Sequence, residues 1–331
     1  MKRKKLFLVL LALSLSAMLC GCGIASNPLE KVRATAVPGL SMELHPASAS
    51  QENVDTFQAS LYYRFGEEPM LAAEPRTLKV RRDESKELVL LEALLEGPSA
   101  GHSELKRLFP ETVRVESVSA QRGILYITFN EALLRGDGIP ADWRQRPDWV
   151  REAPLLRALT IQSAVASITE SFPYTGVQIL VYDPTQVQSS LRLHNSYFLN
   201  DLQGLSEPLA RDESLLLTPQ NTAARLMAAW QSREYGMLYP YIAKAQGSEA
   251  RPSLQAVSSA LDAAPALGSF TVSGGSVSPG GGNAVVTVQY SLLGEDGVPV
   301  PGSYPLPLVR ENDLWKIAYA QLLALMVPAG S

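Results

Sequence analysis

The chain has 331 residues, 29 lysines and arginines against 33 aspartates and glutamates, a formal net charge of −4, 46% hydrophobic residues and two cysteines. An acidic balance repels phosphates, so nucleic acid is excluded as an expected partner. Two cysteines cannot build a disulfide framework, and His45, His102 and His194 are too scattered for metal-ligand spacing.

Lys2, Arg3, Lys4 and Lys5 precede an apolar run, Leu6 to Leu19, interrupted only by Ser14 and Ser16. This is the pattern of a secretory signal, and the run is shorter than the roughly 20 residues a membrane-spanning helix needs. Leu19-Cys20-Gly21-Cys22 resembles a bacterial lipobox. The resemblance implies that Cys22 receives diacylglycerol and becomes the mature N-terminus, while Cys20, preceded by bulky Leu19, leaves with the signal. Two or more acyl chains suffice for stable attachment. Residues 1–21 are therefore expected as signal peptide and 22–53, rich in Ala, Ser and Pro, as lipidated N-terminus and tether. Loss of the four basic residues leaves 25 cations against 33 anions, a balance of −8, so attachment by lipid rather than by charge is expected.

From Thr56 the pattern changes. "QASLYYRF" and "RTLKVRR" alternate as strands do. Asp83 is placed to cap a helix carrying Leu88, Leu91, Leu94 and Leu95, which Gly97-Pro98 stops. "SELKRLF" reads as a short helical turn, "TVRVESVSAQRGILYITF" as a hairpin around Gln121-Arg122-Gly123, and Leu155 to Ile168 as an amphipathic helix ending at Phe172-Pro173, before the strand "GVQILVYD". The fold class is α+β: a β-β-α-β-β-α-β order over residues 54–187, with helices on one face of a mostly antiparallel sheet.

"LLEALLEGPS", "FPETVRVESVSAQRGILYITF" and "LTIQSAVASITESFPYTGVQILV" resemble the GerM-type domain, named for sporulation and spore germination, over about Ser60 to Asp183. The matching positions include Gly97, Pro98, Gly123, Phe129, Phe172, Val177, Ile179 and Val181. Each has a packing or turn explanation, so the pattern describes a fold and no catalytic site. The segment Arg135 to Pro154 departs from a compact version of the domain. Its Trp143 and Trp149 are candidate partner contacts, against the alternative that both fold back onto the sheet edge.

Residues 188–216 read as a connector. Thr218 and Pro219 open a helix carrying Ala223, Leu226, Met227 and Trp230, expected to run to about Tyr235-Gly236, and "SLQAVSSALDAA" gives another. Strand patterns separated by "PGGG", "EDG" and "END" follow. Helices before a curved antiparallel sheet ending in "LWKIAYAQLL" resemble the cone-shaped NTF2-like α+β fold over residues 217–331. Such cones often enclose a pocket, so Trp230, Tyr235, Tyr239, Tyr241 and Trp315 are candidate pocket residues, with ordinary core and rim packing as the alternative.

Ser103-Glu104-Leu105-Lys106 matches S-x-x-K but lacks S-D-N and K-T-G companions, and "PGGGN" lacks the lysine of a phosphate loop. No catalytic residue, metal or cofactor is assigned. The expectation is a non-enzymatic protein held by lipid on the extracytoplasmic face of the cell membrane; the resemblance to the GerM-type domain implies a protein-assembly module in sporulation or germination, with envelope or sporulation proteins as partners. The alternative is an envelope binding protein that captures a small ligand, peptide or glycan in its C-terminal domain.

Overall fold

The computed structural model describes residues 54–327 apart from 136–137, 184, 186–189, 247–248 and 295. Cys22, the expected signal and the expected tether lie outside the described residues.

Strands β1 (Val54–Phe65) and β2 (Leu71–Arg81) pair antiparallel along their length. Strand β3 (Leu105–Lys106) joins β1 only at Arg64 and Phe65. "SELKRLF" is therefore no helical turn: Gly66 N donates to Glu104 O at 2.8 Å and draws the segment onto the β1 edge. Helix α1 (Lys86–Glu96) is capped by Ser85, whose Oγ accepts from Leu88 N, and not by Asp83, which sits in the turn before it. The helix stops at Gly97, whose φ of 100° suits a residue without Cβ.

The second sheet has the order β4-β5-β6-β7, built from β4 (Val115–Gln121), β5 (Ile124–Phe129), β6 (Gly176–Tyr182) and β7 (Ser190–Arg192). Arg122 and Gly123 turn the β4–β5 hairpin with positive φ at both positions, as a tight two-residue turn demands. Strands β5 and β6 run parallel, with helix α2 (Trp149–Ser171) as the crossover. One mostly antiparallel sheet is thus corrected to two sheets, the second with a parallel central pair.

Helix α2 also completes the first sheet. Ser163, Ser167 and Ser171 recur every fourth residue and share one helix face. Ser163 Oγ donates to Tyr62 O at 2.6 Å, Tyr62 N donates to Ser167 Oγ at 2.9 Å, and Ser60 N donates to Ser171 Oγ at 3.1 Å. Hydroxyls thereby take up main-chain groups of β1 that β3 is too short to reach. Residues 190–216, expected as a connector, supply β7 and then Leu209, which exchanges two main-chain hydrogen bonds with Val177 in β6.

In the C-terminal half, Thr218 Oγ accepts from Asn221 N to cap α3 (Pro219–Gln231). The helix ends before Tyr235 because Arg233 takes a left-handed φ of 58°. Helix α4 (Tyr235–Leu238), the short pair β8 (Ala245–Gln246) and β9 (Glu249–Ala250), and helix α5 (Leu254–Ala263) follow. Strands β10 (Leu267–Val277), β11 (Asn283–Leu293), β12 (Pro299–Glu311) and β13 (Leu314–Ile317) form an antiparallel meander against which α3 packs. The strand in "LWKIAYAQLL" stops at Ile317; helix α6 (Tyr319–Leu325) then buries Leu322 and Leu325 at helical spacing.

One hydrophobic core runs from Ala59 in β1 to Met326 after α6. At the seam between the halves the Phe65 and Tyr241 rings meet edge to face at 5.4 Å, and Leu217 N donates to Leu71 O at 2.7 Å. Buried Glu68 accepts from Arg225 Nε and Nη2 at 3.0 and 2.6 Å. Fully buried Lys316 donates to both Glu104 carboxylate oxygens at 2.7 and 2.9 Å. Burial pulls the Lys316 ammonium below the ordinary lysine range, and the Glu104 carboxylate opposes that shift.

Candidate functional site

A groove of about 520 Å³ opens beside the β6–β7 edge. Its walls are Leu134, Val181, Tyr182, Leu191, Leu193 and Leu205, and Glu131, Asp183, Arg192 and His194 form a polar rim. Strand periodicity explains the walls: Val177, Ile179 and Val181 face the core, while Tyr182 falls on the opposite side at the strand's end. The 3-10 turn Glu131–Leu134 buries Ala132 and Leu133 and leaves Leu134 outside. Leu134, Leu191 and Leu205 are 51%, 43% and 50% exposed, a concentration of apolar surface along one side of the groove. The rim is fixed by local bonds. His194 Nδ1 accepts from Ser196 N at 3.1 Å to cap the turn Asn195–Phe198, and Arg192 donates to Ser206 O and pairs with Glu207 at 3.0 Å.

A second cleft, about 270 Å³, lies at the seam and is lined by Tyr62, Glu170, Arg211, Arg310, Asp313 and Trp315, among others. Its charges are mutually satisfied: Arg211 pairs with Glu170 and Glu213, and Arg310 lies 3.8 Å from Asp313. Burial, reinforced by Glu170, pushes the Tyr62 phenol up to about 12. Nearby, His102 Nδ1 lies 2.9 Å from Ser99 Oγ and its Nε2 3.3 Å from Asp313 Oδ2. The connectivity is that of a serine–histidine–aspartate relay, but Ser99 belongs to the turn after α1 and lines neither this cleft nor the groove. Ser103 and Lys106 share no helix, and Lys106 pairs with Glu67.

The structure disperses the aromatic candidates. Trp143 sits in the 3-10 turn Trp143–Gln145, packed against α2 with the Arg144 guanidinium 4.3 Å from its ring. Trp149 is the first residue of α2, and both tryptophans are half-buried outside the groove. Trp230 is a core residue at 2% exposure. Tyr239 carries the Arg251 guanidinium at 3.9 Å and donates to Pro252 O, and Trp315 lines the seam cleft. Among the described residues no cluster of three or more His, Cys, Asp or Glu side chains could hold a metal ion, and no helix is long and apolar enough to cross a membrane. The groove was missed by sequence reasoning; its only local signal is the set of leucines in residues 188–216.

Residues 60–183 match the Germane family model, described as sporulation and spore germination. Among solved structures, the chain is similar to the tandem GerMN domains of the sporulation protein GerM from Bacillus subtilis, at 18% identity and a TM-score of 0.31, covering 47% of this chain and 45% of that one. It is also similar to a provisionally assigned lipoprotein from Clostridium perfringens, at 19% identity and a TM-score of 0.26, covering 48% of this chain and 89% of that one. The chain thus spans less than half the length of the Bacillus protein. No curated protein matches it in sequence.

Proposed function

We propose, from the premise that residues 60–183 are a Germane domain, that this protein is a non-enzymatic assembly module of the bacterial envelope in sporulation or spore germination. Cys22 anchors it by lipid to the extracytoplasmic face of the cell membrane, and an NTF2-like cone follows the Germane domain. The observation that carries the interaction reading is the apolar groove beside β7. Its occupant is an extended apolar segment of a partner envelope protein. A short edge strand next to a row of exposed leucines suits backbone pairing and side-chain insertion together. The groove is open along its length rather than enclosed, which favours a polypeptide over a small enclosed ligand.

The test is site-specific photocrosslinking of the full-length chain in a spore-forming host. A photoreactive residue at Leu191 is expected to give one defined protein adduct, lost in Leu205→Asp. The same residue at Val285, exposed on β11, gives none. Equal labelling from both positions, or an adduct indifferent to Leu205→Asp, defeats the groove. In the same cells Cys22→Ala is expected to move the protein from the membrane to the soluble fraction, and spore yield to fall with Leu205→Asp as far as with deletion.

A further inference from the structure

We propose that a separate cavity of about 190 Å³, framed by Arg107, Arg135 and Arg157, binds a carboxylate carried on a short apolar stem. The three arginines come from places distant in the chain: one just after β3, one after the 3-10 turn Glu131–Leu134, and one within α2. Folding brings three cations around a space of roughly six waters' volume, at about 30 Å³ each. Like charges so gathered repel unless a counter-charge sits among them.

The protein supplies little of that counter-charge. Arg107 reaches Glu111 at 3.4 Å, but Glu111 is 89% exposed; Arg135 and its partner Glu131 are both mostly exposed, a geometry in which ion pairs contribute least. Arg157 has no carboxylate within ion-pair distance among the described residues. Its Nη1 and Nη2 donate to Leu133 O and Leu134 O at 3.0 and 3.2 Å, which fixes the guanidinium at the cavity wall. The Nε atoms of both Arg107 and Arg157 are buried with no acceptor among the described residues. Tyr197, whose ring lies 4.4 Å under the Arg157 guanidinium, adds a phenol that burial pushes up and Arg157 draws down. The cavity is rich in donors and poor in acceptors. The seam cleft, also lined by arginines, has its cations matched by Glu170, Glu213 and Asp313.

The remaining walls select the ligand. Leu108, Pro110, Leu133, Ile139 and Leu156 offer apolar surface that a bare phosphate leaves uncovered, whereas a short alkyl stem covers it while its carboxylate meets the guanidinium groups. Such a group is the end of a small free acid or the C-terminus of a peptide.

The experiment is calorimetric titration of the full-length chain with butyrate, N-acetyl-alanyl-alanine, the C-terminal amide of that dipeptide, and inorganic phosphate. At least one of the two carboxylates is expected to bind, with the amide at least tenfold weaker than its acid. Arg107→Gln and Arg135→Gln are each expected to weaken binding at least fivefold with an unchanged melting temperature. They are preferred to substitution of Arg157, which would also release Leu133 and Leu134. Tighter binding of the dipeptide acid assigns a peptide terminus and tighter binding of butyrate a free acid; either sustains the site. Absence of binding, equal binding of the amide, tighter binding of phosphate, or indifference to both substitutions overturns it. None of these outcomes depends on the β7 groove.

Discussion

Strands β6 and β11 are both central in their sheets, and both bury one face in the core, but their other faces differ. In β11, Ala284, Val286, Val288 and Tyr290 point inward, and Asn283, Val285, Thr287 and Gln289 are exposed. In β6 the second face is graded. Gln178 is 2% exposed and donates to Ser206 O at 3.2 Å, Leu180 is half-buried, and Tyr182 opens into the groove. An outer face of Asn, Thr and Gln with one valine among them is finished by water. One that passes from a satisfied amide to tyrosine and leucine leaves apolar surface uncovered.

Substitutions can break or sharpen this contrast. The largest effect is expected from Ile179→Ala on the core face of β6, a loss of about 2–5 kcal/mol in urea unfolding because a fully buried side chain leaves a cavity. Gln178→Ala comes next, at about 0.5–1.5 kcal/mol, since it removes a buried hydrogen bond to Ser206 O that Arg192 only partly replaces. Amide exchange should then rise at Ser206 and Leu209 before it rises elsewhere in the second sheet. A pH series tests burial elsewhere in the core, in β1 and at the seam. Tyr62 is pushed up to about 12 by burial, and burial also raises Tyr63 and Tyr241. A phenol whose folded pKa exceeds its unfolded value near 10 contributes stability that is complete below pH 10 and lost as pH climbs toward the folded pKa. The melting temperature should therefore fall between pH 10 and 12, and a flat profile there would show these phenols to be wet. Thr287→Ala, on the solvent face of β11, should change stability by no more than about 0.5 kcal/mol.

The parts of the fold legible in the sequence are those with short-range causes. Arg122-Gly123 announces its hairpin, Phe172-Pro173 the end of α2, and Thr218-Pro219 the start of α3. The serines of α2 carried no such signal, because their partners in β1 lie more than 100 residues away. Lys316 looks like any lysine until Glu104, 212 residues earlier, arrives beside it. The arginine cavity is opaque for the same reason: residues 107, 135 and 157 share no motif and become neighbours only through β3 and α2. The groove was half legible, in that leucines appear in its stretch, but only the register of β6 and β7 shows which of them stay outside.

Glu68 and Glu104 belong to the N-terminal half, and the cations they hold, Arg225, Lys244 and Lys316, belong to the other, so neither half is electrically complete alone. Pulling them apart would take from Lys316 the counter-ion that offsets its burial, and breaking a buried pair is strongly destabilising. Separation is thereby tied to collapse of the surrounding structure, and residues 54–327 should melt cooperatively, as a single endotherm in a scanning calorimeter.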